Sequence, residues 1–308
     1  MNVLNFRFPS LISTRRAGRS DLDTRTLAER IGYSVDERLL ITNCDDLGSS
    51  RSANRAIERA LRYGVASSAT LMVPCPWAEI AANDCRDFDI GVHLTLNSEY
   101  PAYRWASLTG GTTLHDKDGY LPKTTQEVWA RADLTEVELE CRAQIDRAHE
   151  WGIDVTHLDS HMDVMQLDKH YFGLYMGLAA HYRLPLRLRR SSLTWPFSRM
   201  SRSMLDRTGI VTTDRFVAPP WGEPVRPALT NCIKRLPRGV TEIVLHPVDD
   251  SDELRSYDTE NAAIRAADSV CLGDETVRSL IAASDVTLIG FKPLREAMRS
   301  VPVRGKPQ

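Results

Sequence analysis

Short apolar runs alternate with helical patterns along most of this chain, and that alternation narrows the folds open to it more than any other feature. Strand-like runs occur at Leu39–Cys44, Ser68–Val73, Ile90–Leu96, Val155–Asp159, Leu186–Arg189, Glu242–His246 and Val286–Ile289. Between them, Ser52–Tyr63 carries Ala53, Ala56, Ile57, Ala60 and Leu61 at helical spacing, and Gly64 follows where a helix commonly ends. Glu136–Trp151 repeats the arrangement with Val137, Cys141, Ile145 and Ala148, closed by Gly152. Single strands separated by helices predict parallel pairing with crossover helices. At 308 residues, 42% of them hydrophobic, the chain can build one large core, and an α/β barrel uses this length as a single domain. The expected division is a flexible extension over 1–24, one α/β domain over 25–303 and a tail over 304–308.

Composition excludes some roles. A formal net charge of −2 leaves no global field for nucleic acid or an anionic membrane. No apolar stretch approaches the ~18 residues of a membrane span. The six cysteines form no CxxC pair and lie far apart, which argues against a disulfide framework or a zinc-thiolate site. Buried reduced thiols in a cytoplasmic protein are the simpler reading. Residues 1–24 carry arginines and serines without the apolar core of a signal peptide, and Asp21 and Asp23 interrupt a presequence-like basic character.

The chemistry concentrates at strand ends. Asp45 and Asp46 follow the first apolar run directly. Adjacent carboxylates resist joint ionisation, and burial adds several kcal/mol of desolvation. A metal ion or a shared proton offsets such a cost; an Asx turn capping the next helix is the alternative, and it needs only one aspartate. In Asp89–Asn97, alternation puts Gly91, His93, Thr95 and Asn97 on one face. That polar face suits a wet cavity, although a lone strand histidine is also compatible with a core. In Thr156–Asp163, His157, Asp159 and His161 share one side, a set rich in metal-ligand chemistry. Asp159 could instead orient a histidine from behind. The run Glu242–Leu245 ends in His246, followed by Pro247, and a strand-end histidine fits a general acid. Sites in parallel α/β folds form at the carboxyl ends of strands. His115, His149, His170 and His181 fall in loops or on polar helical positions and receive no role.

Two aromatic stretches break the rhythm. Asn97–Thr125 holds Tyr100, Tyr103, Trp105 and Tyr120, and Val217–Pro227 holds Trp221 beside Pro219 and Pro220. Both could wall a sugar-sized cleft, with Tyr103 and Trp221 as ring-stacking candidates; ordinary loop packing explains them equally well. Arg187 and Arg189 alternate with leucines, so they could reach a substrate or lie on a solvated edge.

Four segments taken together resemble the signatures of the YdjC/ChbG-like carbohydrate deacetylases: Asn43–Gly48, Gly91–Leu96, Thr156–His161 and Glu242–Pro247. They occur in the family's order, and the resemblance runs from about residue 26, with Leu27–Tyr33 at its start, to about residue 300. It implies a distorted TIM-like (β/α) barrel and metal-dependent hydrolysis of N-acetyl groups on amino sugars or short oligosaccharides. Carried onto this chain, it makes Asp46, His93 and His161 ligands of one divalent cation, Asp45 the general base and His246 the general acid. The family is commonly described with magnesium, whereas two imidazoles and a carboxylate suit zinc. Two departures stand out: Met162-Asp163-Val164-Met165 replaces a histidine-rich run, and Cys44 replaces a more usual alanine. The implied partner is a small carbohydrate, with no nucleic acid or membrane; homodimer formation stays open. The alternatives are a metal-dependent hydrolase of another acylated small molecule, or a non-catalytic carbohydrate-binding barrel.

Overall fold

The computed structural model describes residues 24–188 and 208–300. The expected extension (but for Thr24), the 304–308 tail and Arg189 lie outside the described residues. Seven strands run through the rest: β1 Arg38–Leu47, β2 Ser68–Leu71, β3 Ile90–Leu94, β4 Leu158–Ser160, β5 Arg215–Val217, β6 Gly239–Leu245 and β7 Thr287–Leu288. All pair in parallel, in the order β4-β3-β2-β1-β6-β5, with β7 paired to β1. This is a single α/β domain whose sheet is flanked by helices, as the alternation predicts.

Every β1 residue from Leu39 to Leu47 is buried, which is why its sequence begins as an unbroken apolar run rather than an alternating one. The helix Arg51–Tyr63 buries Ala53, Ala56, Ile57 and Ala60, and its Ser50 cap accepts from the Ala53 amide. Gly64 ends it with φ −101°; it is needed for space, since an added Cβ would lie 2.4 Å from the Leu272 carbonyl oxygen. The helix Leu134–Glu150 is capped by Asp133 and turns Val137, Cys141, Ile145 and Ala148 inward.

The sheet is strongly curled. In a flat sheet β4 and β6 would lie four spacings apart, roughly 19 Å. Yet one guanidinium, that of Arg187, lies 2.6 Å from Asp159 on β4 and 2.7 Å from Glu242 on β6. The concave face is polar: Asn43, Asp45, Ser68, Thr70, His93 and Asp159 meet one another across β1 to β4.

Some expected elements differ. The Val155–Asp159 run becomes a strand only at Leu158–Ser160, and Leu186 makes an isolated parallel bridge to Leu158 in place of a strand. The Leu186 amide donates instead to Val211, so the chain there links two neighbours with minimal pairing. The short edge strand β5 was not legible, because Arg215–Val217 is partly exposed and carries no apolar run.

The β1 exit depends on Gly48. Its φ is +90°, and a Cβ would sit 2.9 Å from the Ala78 Cα. Gly48→Ala is expected to lower stability by about 2 kcal/mol, read as a shift in the urea midpoint at unchanged slope.

Candidate metal centre and active site

The Asp pair shares one side of the sheet because β1 is irregular at that point. Cys44 pairs with Ala69 and Leu47 with Leu71, so three steps on β1 face two on β2. The extra residue is a bulge, and Asp46 takes φ 66° there. A left-handed conformation is uncommon for a residue other than glycine, though aspartate tolerates it better than most. Without the bulge, Asp45 and Asp46 would point to opposite faces. With it, both carboxylates enter the concave side, 4% and 5% exposed.

Asp46, His93 and His161 come together as the resemblance implies. Asp46 Oδ1 lies 3.5 Å from His93 Nε2 and 3.4 Å from His161 Nδ1, and the two ring nitrogens are 3.3 Å apart. Each histidine is oriented from its far side. His93 Nδ1 is 2.5 Å from Asp159 Oδ1, and His161 Nε2 is 3.1 Å from Glu99 Oε2. A proton on each of those outer nitrogens leaves the inner lone pairs free toward Asp46. Asp159 therefore acts behind His93, and Thr70 and Arg187 hold its other oxygen at 2.9 and 2.6 Å.

The donor set fits a divalent cation. Asp46 Oδ1 is buried and has no hydrogen-bond partner among the described residues. An ionised oxygen without a close donor is expensive to bury unless positive charge meets it, either the imidazolium of His161 at 3.4 Å or a bound cation in its place. The three donor atoms lie within 4.8 Å of one another.

Charges around the triad are strongly biased. Burial would raise both aspartates, but Arg187 overrides it at Asp45, holding that carboxyl at about 2, and His161 and Arg265 hold Asp46 well below the usual carboxylate range. Burial works against charge on His161, yet Glu99 and Asp46 outweigh it and push the imidazole up to about 10. His93 is raised as well, because Asp159 and Asp45 outweigh its burial. Burial keeps Glu242 at about 7 despite its contact with Arg187.

Asp45 is fixed by a fork: Arg187 Nη1 donates to Oδ2 at 2.6 Å and Nη2 to Oδ1 at 2.8 Å, while Asn43 Nδ2 donates to Oδ1 at 2.9 Å. His246 Nε2 stands 3.9 Å from Asp45 Oδ2. His246 is 27% exposed at the side chain, and burial of the rest lowers its pKa.

Arg187 calls for a correction. It is neither on a solvated edge nor free to reach a substrate: it is buried, and Asp45, Asp159 and Glu242 take up its donors. Tyr103 is partly buried, with its hydroxyl donating to the Ser49 carbonyl and its ring stacked on Tyr257. Trp221 does reach the site. It is 63% exposed, its ring centroid is 5.2 Å from that of His246, and both line a cleft with Pro219, Val225, Val244 and Arg265. His157 stays apart from the triad, stacked on Phe291 at 3.7 Å. The sequence reading missed Glu99, Glu242 and Arg265. The available signal for Arg265 was its place on the buried stripe of the helix Ala262–Leu272, with Ala262, Ser269 and Leu272.

A curled parallel sheet that brings buried aspartates and histidines to its strand ends defines an α/β protein whose candidate active site is an Asp/His cluster that could hold a metal ion. The chain belongs to the YdjC-like family, whose model matches residues 39–283. A carbohydrate deacetylase from Thermus thermophilus is 33% identical over 281 residues, covering 88% of this chain and 99% of the relative. A second, from Thermoanaerobacter pseudethanolicus, is 26% identical over 262 residues, covering 84% of this chain and all of the relative. A chitooligosaccharide deacetylase from Proteus mirabilis is 30% identical over 200 residues, 62% of this chain and 72% of the relative. A crystal structure of an Enterococcus faecalis V583 protein superposes with a TM-score of 0.71 at 24% identity, over 84% of this chain and 99% of that one, a likeness of fold. The chain's named kin are thus hydrolases that cleave amide bonds. None of the described helices is long and apolar enough to cross a membrane.

The raised His161 has a measurable consequence. In metal-stripped protein its charge stabilises the fold fully below the unfolded value of ~6.5, and that contribution is lost as pH rises toward about 10. A cation held through His161 Nδ1 would have to displace this proton. Zinc binding at pH 7 is therefore expected to release protons, seen as a calorimetric enthalpy that depends on buffer ionisation heat.

Proposed function

We propose that the chain is a metal-dependent carbohydrate deacetylase that removes N-acetyl groups from amino sugars or short oligosaccharides. The single observation that carries this reading is the buried Asp46-His93-His161 triad with its undonated Asp46 oxygen. Family membership and the names of the relatives supply the reaction class. We infer as well that the curled sheet belongs to a distorted barrel, with the link from Leu158 through Leu186 to Val211 closing it toward β5.

Asp46, His93 and His161 would hold the cation, and two imidazoles with one carboxylate are a donor set that suits zinc. When bound, such a cation supplies Lewis-acid polarisation of the acetyl carbonyl and lowers the pKa of an attacking water toward ~7.

The chain's own residues handle the protons. Asp45 is anionic across the working pH range and cannot swing, because Arg187 and Asn43 hold it. It accepts the proton of the attacking water. His246 lies 3.9 Å away, and burial lowers its pKa below the ordinary imidazole value, which favours the neutral ring near pH 7. The proton gained by Asp45 passes to His246, its neighbour across 3.9 Å, which delivers it to the departing sugar nitrogen. Acetate and a free amine leave. Trp221, exposed beside His246, offers a face to the sugar ring on the leaving-group side.

The test is acetate release from N-acetylglucosamine and its short β-1,4 oligomers by stripped enzyme resupplied with zinc, magnesium, cobalt or nickel. Asp45→Ala is expected to keep the metal and lose about 10²–10⁴-fold in rate, and His246→Ala to fall in the same range. His93→Ala is expected to lose the metal, checked by elemental analysis after gel filtration; full retention would overturn the ligand assignment. Metal binding without release from any sugar moves the substrate to another acylated compound.

A further inference from the structure

Arg265 touches the metal triad without belonging to it. Its Nη1 donates to Asp46 Oδ2 at 2.9 Å, its Nε to Asp258 Oδ2 at 2.8 Å and its Nη2 to the Tyr100 hydroxyl at 3.2 Å. It is 5% exposed, and its guanidinium lies 5.3 Å from the Trp221 ring centroid. Asp258 is itself pinned by the Asn261 amide and side chain. The arginine is thus held from two sides before it reaches Asp46. What remains of that carboxylate is Oδ1, the oxygen without a donor, which faces both histidines.

We propose that Arg265 is a positioning residue for the metal-ligating Asp46: it occupies Oδ2, presents Oδ1 alone to His93 and His161, and ties this carboxylate to the Trp221 wall of the cleft. The inference rests on the metal-centre reading above. Asp46 sits on a bulge with left-handed backbone, so regular strand geometry does not fix its side chain. Freed from Arg265, the carboxylate could turn and offer either oxygen, or close onto His161. The charge of Arg265 acts in the opposite direction, because a cation beside the site repels a second one. Orientation and charge thus make opposite forecasts for the same substitution, and a binding measurement separates them.

The measurement is the zinc dissociation constant of metal-stripped full-length protein, by competition with a chromophoric chelator, with folding checked by circular dichroism. Arg265→Gln is expected to bind zinc 10–100-fold more weakly, the range typical when a residue supporting a ligand is removed. Arg265→Lys is expected to recover part of the loss, since an ammonium can still occupy one oxygen but cannot hold Asp258 and Tyr100 as well. Asp258→Asn leaves the contact to Asp46 but takes the charge from the far anchor and leaves one acceptor oxygen where Arg265 and Asn261 each had their own, and is expected to weaken zinc by a smaller factor. Folded Arg265→Gln with unchanged or tighter zinc overturns the proposal, because charge then outweighs orientation. If that variant does not fold, Asp258→Asn decides, and wild-type affinity there overturns the proposal. Wild-type protein that binds none of zinc, magnesium, cobalt or nickel overturns the metal-centre reading, and the proposal with it.

Discussion

One buried guanidinium holds the concave face of this protein together. Arg187 meets Asp45 of β1, Asp159 of β4 and Glu242 of β6; β1 and β6 are neighbours, but the sheet order sets β4 three and four places from them. Three carboxylates surround this one cation, and Glu242 is pushed up to about 7, chiefly by burial and further by the charges of Asp45 and Asp159. Losing one partner of such a buried group typically costs ~3–5 kcal/mol, because the remaining charges stay buried without compensation. The curl of the sheet and the ionisation of the site therefore share one origin.

The same junction divides labour between the two aspartates. Arg187 grips both oxygens of Asp45 and keeps it a fixed anion at rest. Arg265, from a helix near the other end of the chain, takes only one oxygen of Asp46. Adjacent carboxylates of identical covalent chemistry thus receive different partners: both oxygens of one are held by Arg187, while the other keeps an oxygen among imidazoles. Asp159 and Glu99 extend the arrangement outward by fixing the far nitrogens of His93 and His161. The strain needed to seat both carboxylates on one side is confined to the bulge at Asp46 and the left-handed Gly48 that follows.

Much of this was legible in the residues. Runs such as Leu39–Cys44 and Glu242–Leu245 read as buried strands because both faces of a helix-covered parallel sheet exclude water. Alternation within Gly91–Asn97 put His93 on the polar side, where it stands. The triad members were legible because each lies at a strand's carboxyl end. Arg187 was misread. Alternation assigns a side chain to a face, but it does not say whether that face meets solvent or three carboxylates. Tyr103 looked like a sugar platform, yet the hydroxyl of an aromatic loop residue is as easily spent on a backbone carbonyl, here that of Ser49.

The sequence alone determined the kind of fold, the four segments that carry the chemistry and the likeness to the YdjC family, because local periodicity and residue type are properties of neighbours in the chain. Tertiary structure decided which charges meet. Arg187 and Asp45 are 142 residues apart, and Arg265 and Asp46 are 219 apart. No local pattern encodes such pairings; they arise when the sheet curls and brings distant strand ends and helices onto one buried polar face. The bulge that turns Asp45 and Asp46 to the same side belongs to that second class as well, since it is defined by register against β2 rather than by β1 itself.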